Sequence, residues 1–183
     1  MAAKVNIELA LIRHPESPAS GLSRVDARML RTSEGVLALT YTIEGDLDCP
    51  PEARLPRVGN HLWEHTCFEI FIARAGLAGY HEFNFAPSGE WAAYEFAGYR
   101  QAAPVLSETI TPQIVVRNTK GHLELEATLQ LARLSTDHAS AQLSISVAAV
   151  IEGKDGSLSY WALKHPPGKP DFHHADAFAL TLG

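Results

Sequence analysis

The chain is predicted to fold as an all-β, antiparallel β-sandwich. Three observations carry this expectation: runs of period-two alternation recur along the chain, turn residues separate them, and no stretch supplies a long amphipathic helix. With 183 residues and 46% hydrophobic content, the chain has the size and apolar supply of one domain, taken as residues 1–183.

The elements follow in chain order. Residues 5–12 mix apolar and polar side chains as an edge strand would, and Pro15, Pro18 and Gly21 break them. Residues 24–31 alternate weakly and read as a strand with its charges exposed. Over 36–43, Leu37, Leu39, Tyr41 and Ile43 share one face against Val36, Ala38, Thr40 and Thr42. A long surface loop rich in Pro, Asp and Arg occupies 45–59. The organising stretch is 63–100, a three-stranded meander whose first connection holds Gly76 and Gly79 and whose second is Pro87-Ser88-Gly89. A strand is expected over 110–117. The sharpest alternation lies over 122–131, with Leu123, Leu125, Ala127, Leu129 and Leu131 inward. One helical turn is expected within 131–140, then a hairpin pairing 143–151 with 157–163, and a last strand over 177–182.

The meander's two faces differ in chemistry. Trp63, His65, Cys67, Glu69 and Phe71 fall opposite Phe68, Ile70 and Ile72, and Tyr80, Glu82 and Asn84 fall opposite Phe83 and Phe85. Two neighbouring strands are therefore expected to line one polar, aromatic surface.

Charge and composition narrow the function classes. Fifteen Lys and Arg against 21 Asp and Glu leave a net charge of −6 and no basic run, which argues against a nucleic-acid partner. The first residues do not read as a signal peptide, and no window approaches a membrane span, so a cytoplasmic location without membrane association is expected. Cys49 and Cys67 show no metal spacing and read as unpaired thiols. No phosphate-cradling loop, nucleophile elbow or triad is legible, and no catalytic residue is assigned.

The runs LWEHTCFEIFI and YHEFNFAPSGEW, together with the later YWALKHPPGKPDFHHADAFALTL, resemble the DOMON-like β-sandwich domains, which are related to the family-nine carbohydrate-binding modules. The resemblance extends over most of the chain from about Gly35, and Trp63, Glu69, Tyr80, Asn84, Trp161, Phe172 and His173 match positions of its pattern. It implies a non-catalytic module whose relatives hold sugars or haem. A saccharide would lie on a concave sheet face, stacked on Trp63 and Trp161. Glu69 and Asn84 would meet its hydroxyls, with Glu82, Arg100 and His173 as further ligand-binding residues. Two alternatives stay open. One is a haem domain, for which the chain offers Met1, Met29 or a His65/His173 pair. The other is a metal-dependent enzyme in which His65, His173 and His174 converge with Glu69 and Asp176, although His65 and Glu69 are too far apart on one strand face to share an ion. Otherwise neither cofactor nor metal is expected, and nothing sets the oligomeric state.

Overall fold

A computed structural model describes residues 4–18, 21–45, 56–104 and 110–183. Cys49 and most of the predicted 45–59 loop lie outside them. Two sheets face one another. The first runs β1 (Lys4–Ala10), β3 (Leu22–Thr32), β4 (Val36–Gly45), β11 (His122–Gln130) and β10 (Gln113–Thr119). The second runs β2 (Ile12–Arg13), β13 (Leu158–Ala162), β12 (Leu143–Glu152), β6 (Cys67–Arg74), β7 (Tyr80–Phe85), β8 (Glu90–Phe96) and β5 (Arg57–Val58). To it β14 (Leu180–Leu182) adds on β12, and β9 (Ala102–Pro104) on β8. Every described pairing is antiparallel except that of β5 with β8. The fold class is the β-sandwich that the alternation predicts. No described helix is long and apolar enough to cross a membrane.

The core follows from strand parity. Leu37, Leu39, Tyr41, Ile43 and the inward residues of β11 face Phe68, Ile70, Ile72, Phe83, Phe85 and Trp161 across the sheets. Burying these side chains is the main stabilising contribution. Tyr41 brings one polar atom into this interior, where its hydroxyl donates to the backbone carbonyl of Glu69 at 2.9 Å. Tyr41→Phe removes that bond and is expected to cost about 1 kcal/mol in urea unfolding; an unchanged unfolding midpoint would refute a structural role for the hydroxyl.

Two readings of the chain change. The expected exposure of the charges on residues 24–31 fails at Arg31, which is buried. Its guanidinium donates to the carbonyls of His138, Ala139, Ala141 and Leu182, fastening a 3-10 turn (Thr136–Ala139) and the end of β14 to β3. The first strand of the meander starts at Cys67 rather than Trp63, because Leu62–Glu64 forms a 3-10 turn.

The second sheet is covered on its outer face as well, which explains why every residue of β6 except Arg74 is buried. At one side Leu62 packs on Cys67, Ala86 and Ala92. At the other, Phe172 and Phe178, from the segment after β13, pack with Phe71, Tyr80, Phe96 and Val150.

Candidate functional site

Between these two patches of cover lies a cleft of about 400 Å³, lined by residues that include Trp63, Glu69, Glu82, Tyr94, Arg100 and His173. That volume falls in the range of small-ligand sites. Its floor follows from register. Ala162, Ala148, Glu69, Asn84 and Ala92 form one row of cross-strand partners over β13, β12, β6, β7 and β8. Alanines on either side of the Glu69–Asn84 pair leave a trough where larger side chains would fill it. In the next row of that face Glu82 stands between Phe71 and Tyr94.

Trp63 reaches the cleft from the 3-10 turn. Buried Leu62 pins that turn to the sheet, and the Trp63 indole lies against the rings of Tyr94 and His61, leaving 39% of the residue exposed. The approach is close enough to require Gly59, where a Cβ would stand 2.8 Å from Leu62 Cδ2 and 3.0 Å from Glu90 Cβ. The opposite wall is latched by Asp171, which accepts from Tyr99 Oη at 2.6 Å, from an Arg100 guanidinium nitrogen at 2.9 Å and from the His173 backbone N–H at 3.1 Å. Burial would raise the Asp171 carboxyl, but these hydrogen bonds outweigh burial and hold it below the usual carboxylate range. Asp171→Ala is expected to lower stability by about 1 kcal/mol in urea unfolding. Loss of the wall should also appear as faster proteolysis within residues 163–174, and cleavage no faster than in the wild type would sink the latch assignment. His61 and Arg100 are the described non-glycine residues with left-handed backbone, φ 55° and 54°. They flank the two sides of the cleft, the arrangement expected where strain is retained around a functional site.

Electrostatically the floor is acidic and little exposed. Glu69 and Glu82 are 4% and 5% exposed. Burial, and then the neighbouring Glu82, push the Glu69 carboxyl well above its ordinary value. Burial raises Glu82 to about 7 against the opposing pull of the Asn84 hydrogen bond and Arg100. Asn84 Nδ2 donates to Glu82 Oε1 at 2.9 Å. The Arg100 backbone N–H donates to Tyr80 Oη at 3.3 Å, and that hydroxyl shares a hydrogen bond with His173 Nδ1 at 2.9 Å. The other ring nitrogen, His173 Nε2, lies 3.7 Å from Glu82 Oε2. Burial, then Arg100, lowers the His173 pKa to about 4, so the ring is neutral near pH 7.

The residues singled out in the sequence thus divide. Trp63, Glu69, Glu82, Arg100 and His173 line the cleft, and Asn84 sits beneath it, fully buried, orienting Glu82. Trp161 does not join them. It belongs to the inter-sheet core, with its indole N–H donating to Ser159 Oγ at 3.0 Å, because odd positions of β13 point inward and Tyr160 points out. The pairing of Trp63 with Trp161 is thereby corrected. Convergence of the histidines on a metal is also corrected. His65 pairs with Glu152, His174 accepts from the Asp176 backbone N–H, and among the described residues no three His, Cys, Asp or Glu side chains gather as a metal site. Cys67 is fully buried and free. Sequence reasoning missed Tyr94, Tyr160 and Asp171. Tyr94 shares its parity with Ala92 and Phe96, which was available as a signal; the Asp171 latch had none.

Over 94% of this chain and 83% of its counterpart, the fold matches a protein from Bacteroides uniformis ATCC 8492 with TM-score 0.68 at 14% identity. That counterpart is described as a proposed carbohydrate-binding protein. The two share one fold. A family 9 carbohydrate-binding module from Caldicellulosiruptor kristjanssonii, solved with cellotriose, is a more distant likeness: TM-score 0.45 and 7% identity over 82% of this chain and 74% of the module. No protein-family model and no curated protein matches the chain.

Proposed function

We propose that the protein is a DOMON-like, non-catalytic module that binds a small saccharide in the outer-face cleft. The observation that carries this reading is an exposed indole, Trp63, at the mouth of a cleft whose floor holds two buried carboxyls. A pyranose presents an apolar C–H face and a rim of hydroxyls, so it needs a flat aromatic wall beside fixed polar atoms. Trp63 is the wall. Tyr94 and Tyr160 take the place first given to Trp161, with Glu69, Glu82, Arg100 and the His173 ring as hydroxyl partners. The TM-score 0.68 neighbour, itself described as a proposed carbohydrate-binding protein, is consistent with this reading.

Titration with neutral trisaccharides tests the reading through tryptophan fluorescence. Trp91 and Trp161 are buried, so the solvent-sensitive emission belongs to Trp63. A saturable blue shift is expected. No shift from any sugar at roughly millimolar concentration would end the proposal.

A further inference from the structure

We propose that the ligand carries a protonated amine, making it an amino saccharide whose ammonium group seats between Glu69 and Glu82. This rests on the saccharide reading and narrows it.

Glu69 is 96% buried, lines the cleft, and its carboxyl has no hydrogen-bond or ion-pair partner among the described residues. Its oxygens open to the cleft and are not sealed in the interior, so a ligand donor placed there meets them directly. Glu82, on the adjacent strand and one row along, opens into the same space and accepts only from Asn84. Among the described residues, the charged and titratable groups facing the pair supply no free cation. Cys67 and Tyr94 are uncharged acids in this setting, both held above their ordinary values chiefly by burial. His173 is neutral, and the Arg100 guanidinium is already committed to Asp171 and Tyr99. Among the described residues, Arg100 acts on Glu82 only through space, and no cation contacts either of the two carboxyls.

A hydroxyl would satisfy one oxygen and leave the two acids, which burial holds towards their protonated forms, with no reason to ionise. An ammonium offers three N–H donors and a positive charge, and meets both acids at once. The walls suit it too, since Trp63 and Tyr94 present aromatic rings that attract a cation. A sugar with an amine in place of one hydroxyl keeps the pyranose face that stacks on Trp63.

The test is calorimetric titration of the whole chain at neutral pH and about 0.15 M salt. It compares the β-1,4-linked glucosamine trisaccharide with cellotriose, which differ only in an amine for each 2-hydroxyl. The amino sugar is expected to bind at least about tenfold more tightly. Its N-acetylated form, which lacks the charge, should do no better than cellotriose. In Glu69→Gln/Glu82→Gln, with folding checked by thermal melting, the ratio between amino sugar and cellotriose should fall towards one. Equal binding of the two sugars by the wild type overturns the amine while leaving the saccharide reading intact. Binding of neither overturns both. An amino-sugar preference undiminished in the double variant assigns it to the net negative charge of the protein and overturns the proposed seat.

Discussion

Replacing Trp63 by alanine is expected to weaken saccharide binding by roughly 1–3 kcal/mol and leave stability nearly unchanged. Replacing Trp161 by alanine is expected to do the reverse. Trp63 stands on a surface turn with 39% of its area exposed, so its loss removes a wall from the cleft and little from the core. Trp161 is packed among the inter-sheet residues with its indole N–H satisfied by Ser159. Truncation there leaves a cavity and removes the indole hydrogen bond to Ser159, whose hydroxyl keeps its bond to the Ile151 carbonyl, at a cost of about 3–5 kcal/mol. Titration calorimetry and chemical denaturation on both variants read the two effects separately. If Trp63→Ala destabilised as much as Trp161→Ala, or if Trp63→Ala bound sugar normally, the assignment of the two indoles to opposite faces of the sheet would fail in its functional sense.

The second large effect is a pH-dependent gain in stability. The folded pKa of Glu82 is raised, to about 7 from 4.5, chiefly by burial. The native chain therefore holds this proton over a window where the unfolded chain has released it. Stability from this group is complete below pH 4.5 and is lost as pH rises to about 7. Glu82→Gln keeps an oxygen to accept from Asn84 and carries no charge. The variant should match the wild type near pH 4 and exceed it by about 3 kcal/mol at pH 8. The wild-type profile alone would hide this. His138 and His173 have pKa values lowered to about 4, mainly by burial, and their contributions run the other way, being lost as pH falls from 6.5. Denaturation curves of both proteins across the range separate the two. A variant less stable than wild type at pH 8 would contradict the buried carboxyl described here.

Much of this was legible in the residues before any coordinates. β11 announces itself because buried and polar side chains alternate strictly there, and a strand buried on one side must place successive residues on opposite faces. The same parity put Glu69, Glu82 and Asn84 on one surface. It failed where composition stops distinguishing the faces. In β13 a Tyr and a Trp stand side by side, and either could point inward. Trp63 reached the expected surface by another route, since Leu62 anchors a turn and not a strand. Arg31 shows the converse error, a charge read as exposed that four backbone carbonyls make tolerable inside. The Asp171 latch joins turns 71 residues apart in sequence, and local pattern carries no information at that range.

One wall of the cleft belongs to the last 20 or so residues, held down by Asp171 and by Phe172 on the sheet. A guest that touches both this tail and the 3-10 turn bridges segments far apart along the chain, and reciprocity requires that whatever closes the tail tightens the guest's grip. Occupancy and fraying of the tail are thus opposite ends of one equilibrium, and an occupied domain should be the one whose tail amides exchange most slowly with solvent.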